Sequence, residues 1–317
     1  MILTDYFRSE KDASWDYALQ SGIKHGVIRL PETDDFDICE KSHWQTVYGR
    51  FTSYGITPVV IEPMPNSVHD HIKTGDEYRD QSIEKVIKMF PIMDSLNIRT
   101  ICFNWMAHIG WLRTSYDLPE RGGAQTTGFN LKDFKKTDKS ISEKELWDNY
   151  AYFLNAVIPE AERYGIKLEL HPDDPPIPKL GGVSRIMISA ENIKRAVYDI
   201  RPSEMLGITM CQATYYVMGG DLEQTITDLA DKIFFIHFRN VSGTKENFRE
   251  TFHDNGVLDM PRLIRLYNKL GIDVPIRVDH VPTYKDETTA VAGYALLGRL
   301  FAVGYLKGLL EADLHEF

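Results

Sequence analysis

Apolar residues along this chain fall into short runs bounded by turn-forming residues, and the runs recur with a regular rhythm. β-like runs occupy about residues 2–7, 26–30, 57–62, 98–103, 166–170, 205–209, 232–237 and 274–279. A stretch of helical spacing or good helix formers follows each of them, clearest over 81–96, 143–164 and 288–312. Short apolar runs between turn residues read as strands, and a 3.6-residue spacing reads as amphipathic helix. Ser142 with Glu145 three residues later predicts a capping box at the start of 143–164. Gly55, Gly165 and Gly271 each separate a helix from the next strand, where a left-handed terminating glycine is expected. Eight such units predict a closed parallel (β/α)8 TIM barrel, one domain over 1–317, rather than an open doubly wound sheet. No G-x-G-x-x-G opens a helix after an early strand, so a dinucleotide-binding half is not expected. The irregular region 104–141 follows the fourth strand and is expected to form a lid-like loop over the catalytic face.

Composition narrows the function. The 317 residues are 43% hydrophobic and 26% charged, which excludes disorder and supplies a large core. Basic residues number 36 against 46 acidic ones, a net charge of −10 that disfavours nucleic acid and anionic membranes as partners. Three cysteines argue against a disulfide framework. The N-terminus meets Asp5 and Arg8 early, and no stretch of 18 apolar residues occurs, so a cytoplasmic protein is expected.

The chemistry lies at strand ends. The fifth predicted strand ends in His171, the sixth runs into Cys211, the seventh ends in His237 and the eighth in Asp279-His280. In a barrel the carboxyl ends of successive strands converge on one bowl, so His171, Cys211, His237 and Asp279 should meet. Any one alone reads as a hydrogen-bonded or core residue, Cys211 especially. Four metal-competent residues on four successive strands read instead as the ligands of a divalent transition metal. Asp173 and Asp174 follow His171 between prolines; they either cap backbone in the turn or orient a ligand from behind.

His171-Pro172-Asp173-Asp174-Pro175-Pro176, followed by Gly182-Val183-Ser184-Arg185-Ile186, resembles the signature loop of the mannonate dehydratases. Further stretches agree in order: Val68 to Gly75, Cys102 to Met106, Trp111 to Thr114, and Ile236 to Val241 with Phe248 and His253. Arg277 to His280 and Gly293 to Leu300 complete the match, which spans roughly residues 55 to 310. The resemblance implies a xylose-isomerase-like barrel with a divalent metal, usually Mn2+, although Fe2+, Co2+ and Zn2+ suit the same donors. The family's ligands fall on His171, Cys211, His237 and Asp279, and its proton-transfer residues on His280 and Tyr294. The implied reaction is dehydration of D-mannonate to 2-keto-3-deoxy-D-gluconate.

Such a dehydration removes a weakly acidic C2 proton beside a carboxylate and expels the C3 hydroxyl, so it needs charge stabilisation, a base and an acid. His280, next to a ligand, is assigned the leaving hydroxyl and Tyr294 the C2 proton. Arg113, Arg239 and Arg277 are expected to clamp the substrate, with Asn104, His69 and His253 as hydroxyl contacts. A sugar isomerase or epimerase on the same barrel is the alternative enzyme, and a non-catalytic sugar-acid binding protein the alternative class. Cys211 favours the dehydratase, and the pair His280 and Tyr294 argues against binding alone. A homo-oligomer is expected. The chain departs from the family at Gln212-Ala213-Thr214 after the cysteine, at Val278, at Val281-Pro282, and at Leu30-Pro31-Glu32, where a histidine pair is usual.

Overall fold

The computed structural model describes residues 1–289 and 291–313. Eight parallel strands close on themselves: β1 (Ile2–Phe7), β2 (His25–Ile28), β3 (Thr57–Ile61), β4 (Thr100–Asn104), β5 (Lys167–His171), β6 (Leu206–Cys211), β7 (Ile233–Phe238) and β8 (Pro275–Val278). They are the eight predicted runs, displaced by no more than a few residues at their ends. Each strand alternates its side chains. Leu168, Leu170, Ile208, Met210, Ile236 and Ile276 join the large core beneath the helices. Val27, Val60, Cys102 and Phe235 form a separate small cluster. The same alternation raises Glu169 and then His171, or Phe235 and then His237, toward one end. Register keeps those ends level: Asn104 pairs with His171, Cys211 with His237, and His237 with Arg277.

Local signals behave as read. Ser142 and Glu145 form the capping box of the helix Glu143–Tyr164, which Gly165 ends in the left-handed region at φ 63°. Two expectations change. The last helix begins at Leu296, not at 288, because the backbone turns through Gly293 at φ +86°; of the expected range, Ala290 lies outside the described residues. The region 104–141 is only partly irregular. Its strands Ser115–Pro119 and Gln125–Asn130 join Val241–Thr244 and Asn247–Glu250 in an antiparallel sheet. The pairing partners come from beyond β7, more than a hundred residues away, so no local pattern announces it. No helix among the described residues is long and apolar enough to cross a membrane.

Gly207 of β6 tests the tightness of the closure. A Cβ there would run into the Lys232 carbonyl and the Phe234 ring. Gly207→Ala should cost about 1–3 kcal/mol, as overpacking in a rigid core does. Urea unfolding checks this, and a variant as stable as wild type would show that the strands yield.

Candidate active site

A cavity of about 660 Å³ opens at the carboxyl ends of the strands. His171, His237, Asp279, His280 and Tyr294 line it, with Glu62, Lys73, Asn104, Trp111 and Arg277. One ligand atom from each of His171, Cys211 and His237 falls within 4.8 Å of the other two. His171 Nδ1 lies 2.7 Å from the Pro172 carbonyl. A carbonyl only accepts, so Nδ1 carries the hydrogen and Nε2 is left with a free lone pair. His237 is 1% exposed, yet neither ring nitrogen has a properly aligned hydrogen-bond partner. At Cys211, Sγ lies 3.2 Å from Thr214 Oγ1, which accepts from Arg239 Nη2 at 2.8 Å. The hydroxyl hydrogen of Thr214 is thereby free to point at the sulfur. A free imidazole lone pair, a second, buried imidazole without an aligned hydrogen bond and a sulfur acceptor fit a divalent transition metal.

Asp279 stands beside this trio rather than within it. Its Oδ2 is 3.7 Å from His237 Nδ1, while Oδ1 accepts from Arg277 Nη1 at 2.8 Å. Burial opposes its charge, but His280, Arg277, His237 and Arg239 together hold its carboxyl well below the ordinary value. Glu62, not singled out from sequence, reaches His237 Nε2 at 3.0 Å and receives two bonds from Arg277, at 2.8 and 2.9 Å. Burial would raise its carboxyl; Arg277 and His237 outweigh that and lower it. Its signal was available, since Ile61-Glu62-Pro63 puts a carboxylate at the end of a strand, just as in the other four.

His280 takes φ +30°, a conformation that costs a non-glycine residue of order 1–3 kcal/mol. It is held between the Trp111 ring at 4.9 Å and the Tyr294 ring at 5.4 Å. Tyr294 Oη lies 3.5 Å from Asp279 Oδ1. Burial, and then Asp279, raise its phenol well above the ordinary value.

The expected substrate contacts divide. Arg277 and Asn104 line the cavity, and four others do not. Arg113 is fully engaged by Asp174 (2.7 and 2.9 Å) and Glu250 (3.1 and 2.5 Å). Arg239 is buried among Asp174, Asp279, Thr214 and His280. His69 is fully buried between Phe103, Trp105 and Phe153 with neither nitrogen bonded, and burial drives its imidazole well below the ordinary value. His253 is pinned by Nε2 to the Phe238 carbonyl at 2.7 Å, and burial lowers it to about 4. Their polarity is spent on internal packing and pairing. Asp174 is thus the partner of two arginines, while Asp173 accepts from the Met187 amide at 3.0 Å. Gln212 also turns away from the cavity, donating to the Arg239 carbonyl and accepting from Tyr267. Lys73, missed from sequence, brings a buried ammonium to the cavity wall, bonded to Asp70 at 2.6 Å.

Comparison with known proteins follows the same lines. The D-mannonate dehydratase (UxuA) family model matches residues 6–140 and 130–316. The chain belongs to the mannonate dehydratase family. It is 31% identical over 329 positions to a mannonate dehydratase of Streptococcus agalactiae serotype III, covering 92% of this chain and 91% of that one. The crystal structure of mannonate dehydratase from Streptococcus suis serotype 2 superposes with a TM-score of 0.90 at 28% identity, covering 99% of this chain and 93% of the other. A xylose isomerase domain protein from Planctomyces limnophilus shares the barrel alone, with a TM-score of 0.62 at 13% identity and coverage of 99% and 98%. Members of this family are hydro-lyases, and the fold is that of the xylose-isomerase-like barrels.

The buried ion pairs carry a pH signature. Burial opposes ionisation of Glu250, but Arg239 and Arg113 pull its carboxyl from 4.5 down to about 2. A depressed folded value gives stability that is complete above the unfolded value and lost as pH falls through the folded one. Glu62 and Asp174 shift in the same direction. Unfolding free energy should therefore fall steeply between about pH 4.5 and 2, Glu250 alone accounting for roughly 3 kcal/mol. Urea titrations at pH 7, 4 and 3 measure this; a flat profile would exclude the network as a source of stability.

Proposed function

We propose that the protein dehydrates D-mannonate to 2-keto-3-deoxy-D-gluconate and water, using a divalent cation, Mn2+. The observation that carries this reading is the convergence of His171, Cys211 and His237 beside a cavity that the pair His280 and Tyr294 also lines. His171, Cys211 and His237 hold the cation, with Asp279 as the adjoining fourth ligand. A cation in that position supplies Lewis-acid stabilisation of the charge that builds on the substrate carboxylate when the C2 proton leaves. Arg277 and Asn104 on the wall, with Lys73 beside Asn104, orient the carboxylate and hydroxyls. The Tyr294 phenol, raised by burial, is protonated at neutral pH and donates to the departing C3 hydroxyl. His280 then takes the C2 proton, the reverse of the division expected from its adjacency to Asp279. The rings of His280 and Tyr294, 5.4 Å apart, are close enough for the proton to return between turnovers through one hydroxyl or water.

Incubation with D-mannonate and Mn2+ should yield the 2-keto-3-deoxy product. Isomerised sugar from an aldose and ketose panel, or saturable binding without turnover, would overturn the reading. Tyr294→Phe should cost at least about 100-fold in kcat, the ordinary worth of a proton-transfer group. Cys211→Ser should co-purify with clearly less metal by elemental analysis.

A further inference from the structure

Neither the family resemblance nor the ligand set explains why a buried carboxylate from an accessory sheet sits directly behind His280. Glu250 ends the strand Asn247–Glu250 and is 1% exposed. Its Oε1 lies 3.2 Å from His280 Nδ1, while Arg239 Nη1 lies 2.8 Å from the same nitrogen. A carboxylate can only accept and a guanidinium can only donate. The inner nitrogen of His280 therefore faces one obligate acceptor and one obligate donor. Protonated, Nδ1 bonds to Glu250; bare, it accepts from Arg239. Either way the ring keeps its place and Nε2 is the nitrogen left for the cavity. The remaining groups against the ring are Asp279, at 3.7 Å from Nδ1, and the Trp111 and Tyr294 rings. None of them offers Nδ1 a closer partner.

We propose that Glu250, held by Arg239 and Arg113, is a positioning residue that fixes His280 through Nδ1 and presents Nε2 to the substrate. The inference rests on the reading that His280 carries a proton in the reaction. Its logic is that of an orienting carboxylate behind a catalytic imidazole, here supplied by a strand outside the barrel. The arginine adds what a lone carboxylate lacks: a partner for the ring when Nδ1 is bare. No proton is consumed by the arrangement, because the hydrogen on Nδ1 stays between His280 and Glu250 while Nε2 exchanges its own with the substrate.

Two measurements decide it. In steady-state kinetics on D-mannonate, Glu250→Gln should lower kcat about 100-fold while KM stays within about threefold, and Glu250→Asp should recover part of the loss. In long-range 15N–1H spectra of histidine-labelled protein, wild type should show His280 Nδ1 hydrogen-bonded, and Glu250→Gln should move that resonance. A His280 ring with both nitrogens exchanging freely in wild type overturns the proposal whether or not the variant folds. So does a Glu250→Gln enzyme that keeps kcat within threefold, or one that loses it with the His280 resonance unmoved. If wild type fails to turn over D-mannonate, the proposed function falls, and the spectra still decide the placement of His280.

Discussion

The carboxyl end of this barrel depends on a buried arrangement of opposite charges. Three arginines, Arg113, Arg239 and Arg277, are almost wholly enclosed, each against at least two carboxylates, at least one of them distant in sequence. Asp174 joins the loop after β5 to the segment after β4 and to the end of β7. Glu62 joins β3 to β8 through Arg277. Removing any one partner strands a charge in low dielectric, at a cost of roughly 3–5 kcal/mol. Such pairs add little net stability over apolar packing, but they tolerate few alternative arrangements. Their contribution is placement: the segments that carry Trp111, Asp279 and His280 past the strand ends have a single well-satisfied way to sit.

That arrangement also separates two kinds of arginine that look alike in the sequence. Arg113 and Arg239 are enclosed among buried carboxylates, so a substrate would have to displace one of these to reach them. Arg277 has one face along the cavity while Glu62 and Asp279 hold its other edges. A cation fixed from behind and open in front is preorganised for an anionic ligand. The same division holds among the histidines. His69 and His253 are sealed in the core, whereas His171, His237 and His280 keep a nitrogen for the cavity.

The barrel was legible because its determinants are local. Apolar runs, terminating glycines such as Gly165 and the Ser142–Glu145 cap act within a few residues of themselves. The convergence of His171, Cys211 and His237 was legible for a related reason: strand periodicity places them at corresponding ends. The roles of Arg113 and Arg239 were hidden because pairing is a long-range property. Arg113 meets Glu250 across 137 positions, and nothing near Arg113 foretells it. The accessory sheet was missed on the same grounds. Tyr294 was placed in a helix because 288–312 is rich in helix formers, and only the turn at Gly293 brings its phenol to Asp279.

The net charge of −10 now has a consistent place. An acidic surface repels an acid at long range, but that repulsion is screened within about 10 Å at ordinary ionic strength. Inside the cavity, what matters is how readily each cation gives up its present partner. Lys73 is buried, and burial lowers its ammonium, while its partner Asp70 is more than half exposed. A carboxylate in water loses little when its ion pair opens, whereas an ammonium held out of water gains a great deal from a new anion. Lys73 is therefore the cation on the wall whose present ion pair opens at least expense to the fold. Arg113 and Arg239 behind the wall are committed to Asp174 and Glu250, and Arg239 also to His280. The excess acid of the chain and an acidic substrate are thus compatible: most carboxylates stay in solvent, and Glu62, Asp174, Glu250 and Asp279, enclosed at this end of the barrel, each face a guanidinium or an imidazole.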